Sequence, residues 1–297
     1  MKRLAVAAAT VLAASPAVGE TRAAGLDVFY ASDSDRTEVL KTAFNFDWQW
    51  DGAEKHQGIR LEKAWFKPVG RRGREMDRAY LRFADTAGQW KWTATAGTDG
   101  HTLIGSASIH DGARLRQEYF VEREIIETPE GLKRGIYYTF AGAALDLPAD
   151  ERNSFTMFAG LQRFTGDNMR THLRGSFVHV VAPKLGLSVQ LRTRYFHSSH
   201  PREYDYYSPR WYAEVLPVVQ IRRFVGGWQL LGAAGLGRQR DSDSGWRSSR
   251  YLNARATSPA FHKSWAVNAA VTYSNTPVSS GLVYRYTQVT LGLTKAL

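Results

Sequence analysis

The chain has 297 residues and a formal net charge of +11, and it contains no cysteine. The lack of cysteine excludes a disulfide-stabilised scaffold, a thiolate metal site and a cysteine nucleophile. Hydrophobic residues make up 43% of the sequence, which excludes a disordered chain. After the N-terminus no apolar run reaches the roughly 18 residues of a membrane-spanning helix, which excludes a helical membrane protein.

The N-terminus has the organisation of an export signal. A basic start, Met1–Arg3, precedes an apolar stretch, Leu4–Ala14, and small residues follow as at a cleavage site. The apolar stretch is too short to cross a membrane as a helix. We therefore predict a signal peptide over 1–24 and a mature domain over 25–297.

The rest of the sequence alternates between apolar and polar residues. Within 262–275, Val267 and Val271 lie on one face of an extended chain, while residues such as Asn268 lie on the other. The segments 38–50 and 185–197 show the same period of two, which is typical of β-strands. The predicted strands are 26–32, 38–50, 57–67, 76–86, 89–97, 101–110, 115–128, 133–147, 152–165, 169–182, 185–197, 209–223, 227–240, 246–258, 262–275 and 281–296.

These segments have the length of strands that cross a membrane at a tilt. Tryptophans are concentrated near segment ends, where a bilayer interface favours them, and the polar faces suit a wet lumen. A closed barrel also gives every backbone polar group a partner inside the membrane. The pattern predicts an all-β fold, an antiparallel transmembrane β-barrel of about 16 strands, with about 14 as the alternative, in the outer membrane of a Gram-negative bacterium.

The connections between the predicted strands alternate in length. Short connections are predicted at 148–151, 182–186 and 224–227, and longer loops at 198–208, 240–245 and 275–280. Because short turns face the periplasm and longer loops face outside in bacterial barrels, we expect both termini in the periplasm.

Alternate residues of each predicted strand face the lumen, and this alternation places more cations than carboxylates there. The basic side chains are Arg60, Arg78, Arg82, Lys91, Arg116, Arg170, Arg174, Arg192, Arg194, Arg210 and Arg222, and the acidic ones are Asp47, Glu62, Glu118, Glu122, Glu124 and Glu214. Arginine in a pore favours anions, and like charges on one strand face, as at Arg192 and Arg194, repel unless an anion lies between them. The alternative is that arginine–carboxylate pairs across strands hold the wall rigid.

Aromatic side chains are assigned to the same lumen. They are Tyr80, Phe120, Phe196, Tyr212, Tyr284 and Tyr286. These rings either form a track for sugar rings or pack against a loop that plugs the barrel.

Three segments carry a resemblance to a known family. They are ETPEGL at 127–132, RFTGDNMR at 163–170 and YYSPRWY at 206–212. In their order and spacing, the chain from Glu124 onward resembles the barrel domain of bacterial exopolysaccharide export porins, of the poly-N-acetylglucosamine and cellulose export type. The usual form of these porins joins a periplasmic tetratricopeptide superhelix to a sixteen-stranded barrel.

The resemblance implies export of a biofilm-type polysaccharide through the outer membrane. The sequence has no counterpart of the tetratricopeptide superhelix. Either a separate periplasmic helical-repeat protein supplies that part, or the chain is a relative without the export role.

The same segments also have local interpretations. Asp167 and Asn168 suit a hairpin turn because both tolerate a left-handed backbone, and Arg170 is placed to pair with Asp167. Pro209 is compatible with the first residue of a strand, where no backbone donor is needed.

The tyrosines of the third segment leave two interpretations open. Tyr206, Tyr207 and Tyr212 either belong to an aromatic girdle at the membrane interface or offer flat faces to sugar rings at the exit of the pore.

Signals for other functions are weak. Ser198, Ser199, His200 and Asp205 have the residue types of a catalytic site at the rim, but a triad is defined by geometry and nothing in this spacing specifies one. We predict no catalytic residue, no metal site and no cofactor. The basic cluster Arg71–Arg74 suits the phosphates of lipopolysaccharide. We expect no nucleic-acid binding, because this cluster is short and the sequence predicts export.

The sequence therefore favours an outer-membrane pore for an exopolysaccharide with a cation-lined lumen, acting together with the membrane, lipopolysaccharide and the polymer chain. The alternatives are an outer-membrane barrel enzyme and a surface receptor or structural barrel with a closed lumen.

Overall fold

The computed structural model describes residues 21–34, 37–70, 72–259, 265–276 and 285–297. The signal segment up to residue 20, Arg71 and Tyr284 lie outside the described residues. The strands are β1 Thr21–Asp33, β2 Glu38–Trp50, β3 His56–Lys67, β4 Arg74–Ala87, β5 Trp90–Thr98, β6 Leu103–Asp111, β7 Arg116–Ile125, β8 Tyr137–Pro148, β9 Asn153–Phe164, β10 Met169–Ala182, β11 Leu187–Ser198, β12 Trp211–Val225, β13 Trp228–Asp241, β14 Ser244–Thr257, β15 Trp265–Ser274 and β16 Tyr286–Ala296. A short helix, α1 (Pro129–Arg134), lies between β7 and β8. Among the described residues, no helix has the length and apolar character needed to cross a membrane.

The strands close into one antiparallel barrel. Each strand pairs with the next along the chain, and β1 pairs with β16 from Ala23 opposite Ala296 to Asp33 opposite Tyr286. Closure leaves no sheet edge, so the backbone groups of the wall find partners within the sheet, as a bilayer interior requires. The predicted all-β barrel of 16 strands is confirmed, and the alternative with fewer strands is wrong.

Most predicted strand limits agree with the structure, but the first strand is longer than expected. β2 and β10 have the predicted limits, whereas β1 begins at Thr21, within the segment 1–24 that the sequence assigns to the signal peptide. Ala23 in this segment is fully buried and pairs with Ala296. The alternation of the strand therefore continues through residues that the sequence alone places before the barrel.

Two connections differ from the prediction. The predicted strands 115–128 and 133–147 extend too far toward each other, because β7 ends and β8 begins outside α1. The predicted long loop 240–245 is a tight turn between β13 and β14. The Asp241 carboxylate closes this turn by accepting hydrogen bonds from the Asp243 backbone N–H at 2.9 Å and from the Ser244 hydroxyl at 2.8 Å.

Local capping signals explain α1. The Thr128 hydroxyl accepts a hydrogen bond from the Gly131 backbone N–H, and Pro129 occupies the first turn, where no backbone donor is needed. Gly135 ends the helix in a left-handed conformation with a φ of 68°. Because of these capping residues, the chain forms a helix here, although the alternating strand pattern continues on either side.

The outer surface of the barrel is apolar. Large hydrophobic side chains that alternate with inward polar residues are exposed around the whole wall, among them Leu26, Phe44, Leu61, Leu81, Met157, Leu161, Leu173, Leu191, Val219, Leu236, Leu252, Val271 and Leu291. Water would make such a continuous apolar surface unfavourable, whereas lipid suits it. The assignment of the apolar faces to the outside is confirmed.

We expect an arginine to destabilise the barrel much more on its outer face than on its inner face. Leu191→Arg and Val267→Arg place a charge in lipid and should each lower the free energy of unfolding, by up to about 4 kcal/mol and by more at Leu191, which lies farther from the end of its strand. Gln190→Arg and Asn268→Arg, the neighbouring inward positions, should have much smaller effects. Denaturant unfolding in lipid vesicles measures the difference, and a larger loss for the inward pair would reverse the assignment of the faces.

Candidate functional site at the loop end

The barrel has two unlike ends. Two long connections, 126–136 and 199–210, lie at the end that we call the loop end, and the start of β1 and the end of β16 lie at the other, terminal end. At the loop end, the connections 126–136, 165–168 and 199–210 contact one another. We call these three connections the loop cap.

Helix α1 packs into the mouth of the barrel. Its Leu132 is 3% exposed and belongs to an apolar cluster with inward side chains of the wall. The wall members of this cluster include Ala31, Val39, Ala64, Phe66, Met76 and Ile104. The guanidinium of Arg74 donates a hydrogen bond to the Leu132 carbonyl oxygen. The apolar residues on the inner faces at this end therefore bind the cap instead of lining a wet lumen.

An aromatic stack joins the end of β9 to the connection 199–210. The rings of Phe164 and Tyr206 lie 4.4 Å apart, nearly parallel. The Arg170 guanidinium lies 5.1 Å from the Phe164 ring and 4.4 Å from the Phe196 ring, and its Nε donates to the Ser198 hydroxyl at 3.3 Å. Arg170 also donates to the Tyr207 backbone carbonyl oxygen, so rings, one hydroxyl group and one carbonyl group hold it at the base of the cap.

Carboxylates of the connection 199–210 hold the cap together. The Glu203 carboxylate accepts hydrogen bonds from the backbone N–H groups of Asp167 at 2.6 Å and Asn168 at 3.1 Å. The Asp205 carboxylate accepts one from the Thr128 hydroxyl at 2.5 Å and one from the Glu130 backbone N–H at 2.8 Å. Each carboxylate therefore links 199–210 to a different connection.

The buried Asn168 completes this network. Its side-chain NH2 group donates to the Tyr206 hydroxyl at 2.8 Å, and its side-chain oxygen, Oδ1, accepts from the His200 backbone N–H at 3.1 Å. Burial raises the pKa of Tyr206 to about 12, so its hydroxyl stays protonated near neutral pH and donates to Glu203.

The three segments that resemble exopolysaccharide exporters meet in this cap. The segment 127–132 contains most of α1, 163–170 spans the turn after β9, and 206–212 leads into β12. The fold thus brings together the motifs that are far apart in the sequence.

Several local predictions within these segments are wrong. Arg170 contacts Ser198 and aromatic rings instead of pairing with Asp167. Gly166, with a φ of 108°, supplies the left-handed residue of the turn in place of Asp167 or Asn168. Pro209 lies in the connection before β12, which begins at Trp211.

Two of the three tyrosines of the segment 206–212 are not placed as either prediction requires. Tyr206 and Tyr212 are buried, and Tyr212 stacks on Phe196 with the ring centres 5.1 Å apart. The Tyr207 hydroxyl donates to the Asp241 carboxylate at 2.5 Å. Neither buried ring lies in an outer girdle or offers a free face to a sugar, because both are used to pack the loop end.

A cavity of about 800 Å³ lies below the cap. Its lining includes the cap residues Thr128, Pro129, Asp205, Tyr206 and Tyr207, and the lumen residue Tyr286. The basic residues along its lining are Lys41, Arg60, Arg123 and Arg170, and the acidic ones are Asp33, Glu62, Glu122, Glu124, Glu127 and Asp205. The cationic excess expected for the lumen does not extend to this cavity, where carboxylates outnumber cations.

Ion pairs brace the wall on the side of β1–β8. The Arg78 guanidinium lies 3.1 Å from a carboxylate oxygen of Glu62 and 3.1 Å from one of Glu124. Arg60 pairs with Asp27 and, at 2.9 Å, with Glu62. The same holds for Arg82 with Asp47, for Lys91 with Glu54, and for Arg116 with Glu118 and Asp146. On this side, the bracing interpretation of the lumen arginines applies.

A different arrangement occurs on β10 and β11. Arg174 lies directly opposite Arg194 in the strand register, and both line a smaller cavity of about 380 Å³ together with Arg192. Arg194 lies 3.8 Å from Glu214, but within the described parts of the chain neither Arg174 nor Arg192 forms an ion pair. We call Arg174, Arg192 and Arg194 the arginine cluster.

Aromatic rings and an amide contact Arg174 and Arg192, the two members of the arginine cluster without an ion pair among the described residues. Arg174 lies 5.0 Å from the Phe158 ring and Arg192 lies 5.0 Å from the Tyr251 ring. Arg192 also donates to the side-chain oxygen of Gln190 at 2.9 Å. The inward orientation of the cluster agrees with the sequence.

The other assigned lumen cations lie away from this cluster. Arg210 is exposed in the connection before β12, and not on a strand. Arg222 is exposed near the terminal end of β12.

The residue types of a catalytic site do not converge at the rim. The Ser199 hydroxyl lies 3.1 Å from Nδ1 of His200, but Asp205 contacts Thr128 and Glu130. In the described ranges, no group of three histidine or acidic residues is placed to hold a metal ion.

Comparison with known structures establishes the fold. A solved bacterial polysaccharide outer membrane secretin matches with a TM-score of 0.66 at 14% sequence identity, over 92% of this chain and 98% of that chain. OccAB3 of Acinetobacter baumannii matches with a TM-score of 0.46 at 10% identity, over 95% of this chain and 100% of that chain. The KdgM porin in complex with disordered oligogalacturonate matches with a TM-score of 0.37 at 11% identity, over 92% of this chain and 99% of that chain.

No family model and no curated protein matches the sequence. At identities this low, structural likeness shows the fold alone. The resemblance to the barrel of polysaccharide exporters is confirmed at that level.

Removing the charge of Asp205 should loosen the cap without affecting the wall. Asp205→Asn loses an anionic acceptor for Thr128 and for the α1 backbone, and a hydrogen bond to a charged group contributes about 1.5–3 kcal/mol. We expect the Leu132 amide to exchange its hydrogen about tenfold to a hundredfold faster, with unchanged exchange in β10.

Asp167→Asn is the matched control. The Asp167 side chain is exposed, and its contact with Glu203 is made by the backbone N–H. Equal exchange rates for Leu132 in the two variants would show that Asp205 does not hold the cap.

Proposed function

We propose that this chain is an outer-membrane pore for export of a polysaccharide, and that the loop cap opens for the polymer to pass. The observation that carries the proposal is the meeting of the three exporter-like segments in one cap above a cavity of about 800 Å³. The fold likeness to a bacterial polysaccharide outer membrane secretin supports the same function.

The interior has the chemistry that a polysaccharide path requires. Carboxylates, arginines and tyrosine hydroxyl groups below the cap offer hydrogen bonds to sugar hydroxyl groups, and the rings of Tyr80 and Tyr286 provide apolar surface for sugar faces. The arginine cluster lines a second cavity inside the barrel and adds positive charge to this path. We propose that polymer passes both regions in turn.

The closed cap favours a second function as well. The loop end is closed by buried Leu132 and Tyr206 and by the hydrogen bonds of Asp205, which suits a surface receptor or structural barrel with a closed lumen.

We propose no enzymatic activity, because Asp205 contacts Thr128 and Glu130 and is not a carboxylate partner for Ser199 and His200. The expected partners are the outer membrane, its lipopolysaccharide and a separate periplasmic helical-repeat protein at the terminal end.

A reversible lock on the cap distinguishes export from a closed barrel. The native chain contains no cysteine, and the side chains of Thr128 and Asp205 are in direct contact. Thr128→Cys with Asp205→Cys should therefore form a disulfide in the oxidising periplasm. We expect the locked protein to conduct much less ion current in planar bilayers and to secrete less polymer, and an added reductant should restore both.

The two single cysteine variants are the controls, because they disturb the same contact without a crosslink. Unchanged current and secretion in a fully crosslinked sample would contradict passage below the cap. Absence of current in both the locked and the reduced protein would favour the closed barrel.

The arginine cluster should set the ion preference of the open pore. Arg174→Gln with Arg192→Gln removes two charges that have no ion-pair partner among the described residues, so the wall should keep its bracing. We expect the reversal potential across a salt gradient to shift away from anion preference, and polymer secretion to fall if the polymer is anionic.

Arg163→Gln with Arg223→Gln removes the same charge from the outer face and is the matched control. An equal shift in both double variants, or no shift in either, would reduce the arginine cluster to a structural role.

A further inference from the structure

The outer face of β13 and β14 carries a group of arginines close to the loop end. Arg238 and Arg240 alternate with Gln239, which is buried and directed inward, so both arginines point outward. Arg250 on β14 pairs in register with Leu236, whose side chain is 73% exposed on the outer face. All three arginines are exposed. We call Arg238, Arg240 and Arg250 the outer arginines.

The outer arginines lie at the edge of the apolar belt. Exposed Val215 and Leu236 are opposite Arg238 and Arg250 in the register, and exposed Leu252 lies two residues beyond Arg250 toward the middle of the wall. The group therefore occupies the level at which a bilayer changes from hydrocarbon to head groups.

These charges are not neutralised by the protein. Within the ranges that the structure describes, none of the three guanidinium groups forms an ion pair with a carboxylate. The only aromatic contact described for them is that of Arg240, which lies 5.7 Å from the centre of the Trp211 ring. Like charges placed together at a membrane surface repel unless an anion lies between them.

The spacing suits a ligand with more than one phosphate. Residues two apart on a strand are separated by about 6.5 Å, and neighbouring strands are about 4.8 Å apart. Arg250 is opposite Leu236 in the register and is therefore offset by two residues from Arg238 and by four from Arg240. The three positions thus span about 13 Å along the strands and one strand spacing across them. Each guanidinium can bind phosphate oxygens through two parallel N–H groups.

The outward cations at the terminal end differ from this group. Arg223 donates a hydrogen bond to the Lys184 carbonyl oxygen at 3.1 Å, and Lys295 lies 5.2 Å from the Trp265 ring. They lie on separate parts of the wall and do not form a cluster. The clustered positive charge of this outer face is at the loop end.

We propose that the outer arginines form a binding site for the phosphate groups of an anionic glycolipid in the leaflet at the loop end, with Trp211 and Trp246 packing beside its sugar rings. Trp246 is 55% exposed on the same strand as Arg250. The site rests on the proposed outer-membrane location, but it does not depend on polysaccharide passage.

The test uses the folded full chain in detergent and native mass spectrometry of bound lipid. The probes are lipid A, which is a doubly phosphorylated disaccharide lipid, the same lipid after removal of both phosphates, and inorganic phosphate as a competitor. We expect lipid A to bind at least about tenfold more tightly than its dephosphorylated form, since each lost charge-assisted contact weakens binding by about that factor.

The variant Arg238→Gln, Arg240→Gln, Arg250→Gln should bind lipid A at least about tenfold more weakly than the native chain. The matched control is Arg152→Gln, Arg163→Gln, Arg223→Gln, which removes the same charge from exposed arginines elsewhere and should retain the native affinity. Heat-modifiable migration on a gel verifies that each variant is folded, and Arg240→Gln alone replaces the triple variant if that one does not fold.

Three outcomes would overturn the proposal. Equal affinity for the two lipids would mean that the acyl chains alone bind, and equal losses in the two triple variants would mean that total charge, and not this site, attracts the lipid. Displacement of lipid A by inorganic phosphate at low millimolar concentration would identify a site for free phosphate. None of these results would alter the expected behaviour of the locked cap, so the two proposals fail separately.

Discussion

Closure of the sheet between β1 and β16 is the constraint on which the rest of the structure depends. A strand in lipid cannot leave backbone groups without partners, so the first and last strands must pair along their length, as they do from Ala23 to Asp33. Once the ring is closed, each residue faces either lipid or lumen, and a shift of one position would exchange all of them. Outer leucines and inner arginines on the same strand, such as Leu191 and Arg192, are consequences of this single register.

The same constraint explains what the sequence could and could not predict. A period of two is a local signal, so the positions of the strands and the direction of residues such as Val267 and Asn268 follow from it. The cap depends on contacts between distant residues, such as that of Asn168 with Tyr206, which no local pattern contains. Helix α1 had a readable signal in its Thr128-Pro129 start and Gly135 end, but these residues interrupt two strand patterns that are strong enough to conceal a single helical turn.

The ion pairs of the lumen are also contacts between distant residues that the sequence pattern could not predict. Parity places arginines inside but does not say which of them meet carboxylates, because partners such as Arg78 and Glu124 come from strands that are not neighbours. Toward β1–β8 the cations are paired, and removing one partner of such a buried pair leaves a charge uncompensated. On β10 and β11, Arg174 faces Arg194 across the register; the Phe158 ring contacts Arg174, and the one carboxylate described beside the pair is Glu214, near Arg194. One lumen therefore holds a braced region and a region of unbalanced positive charge.

The cap and the wall are held by different forces, and this difference allows one to move without the other. The wall depends on continuous backbone ladders, such as the one that joins β10 to β11 from Arg170 to Val180. The cap depends on a small apolar cluster around Leu132 and on the carboxylates of Glu203 and Asp205. Segments with few buried contacts open at free energies well below that of global unfolding. Water can replace the hydrogen bonds of Asp205, whereas lipid cannot replace those of the ladders, so opening of the loop end is compatible with an intact barrel.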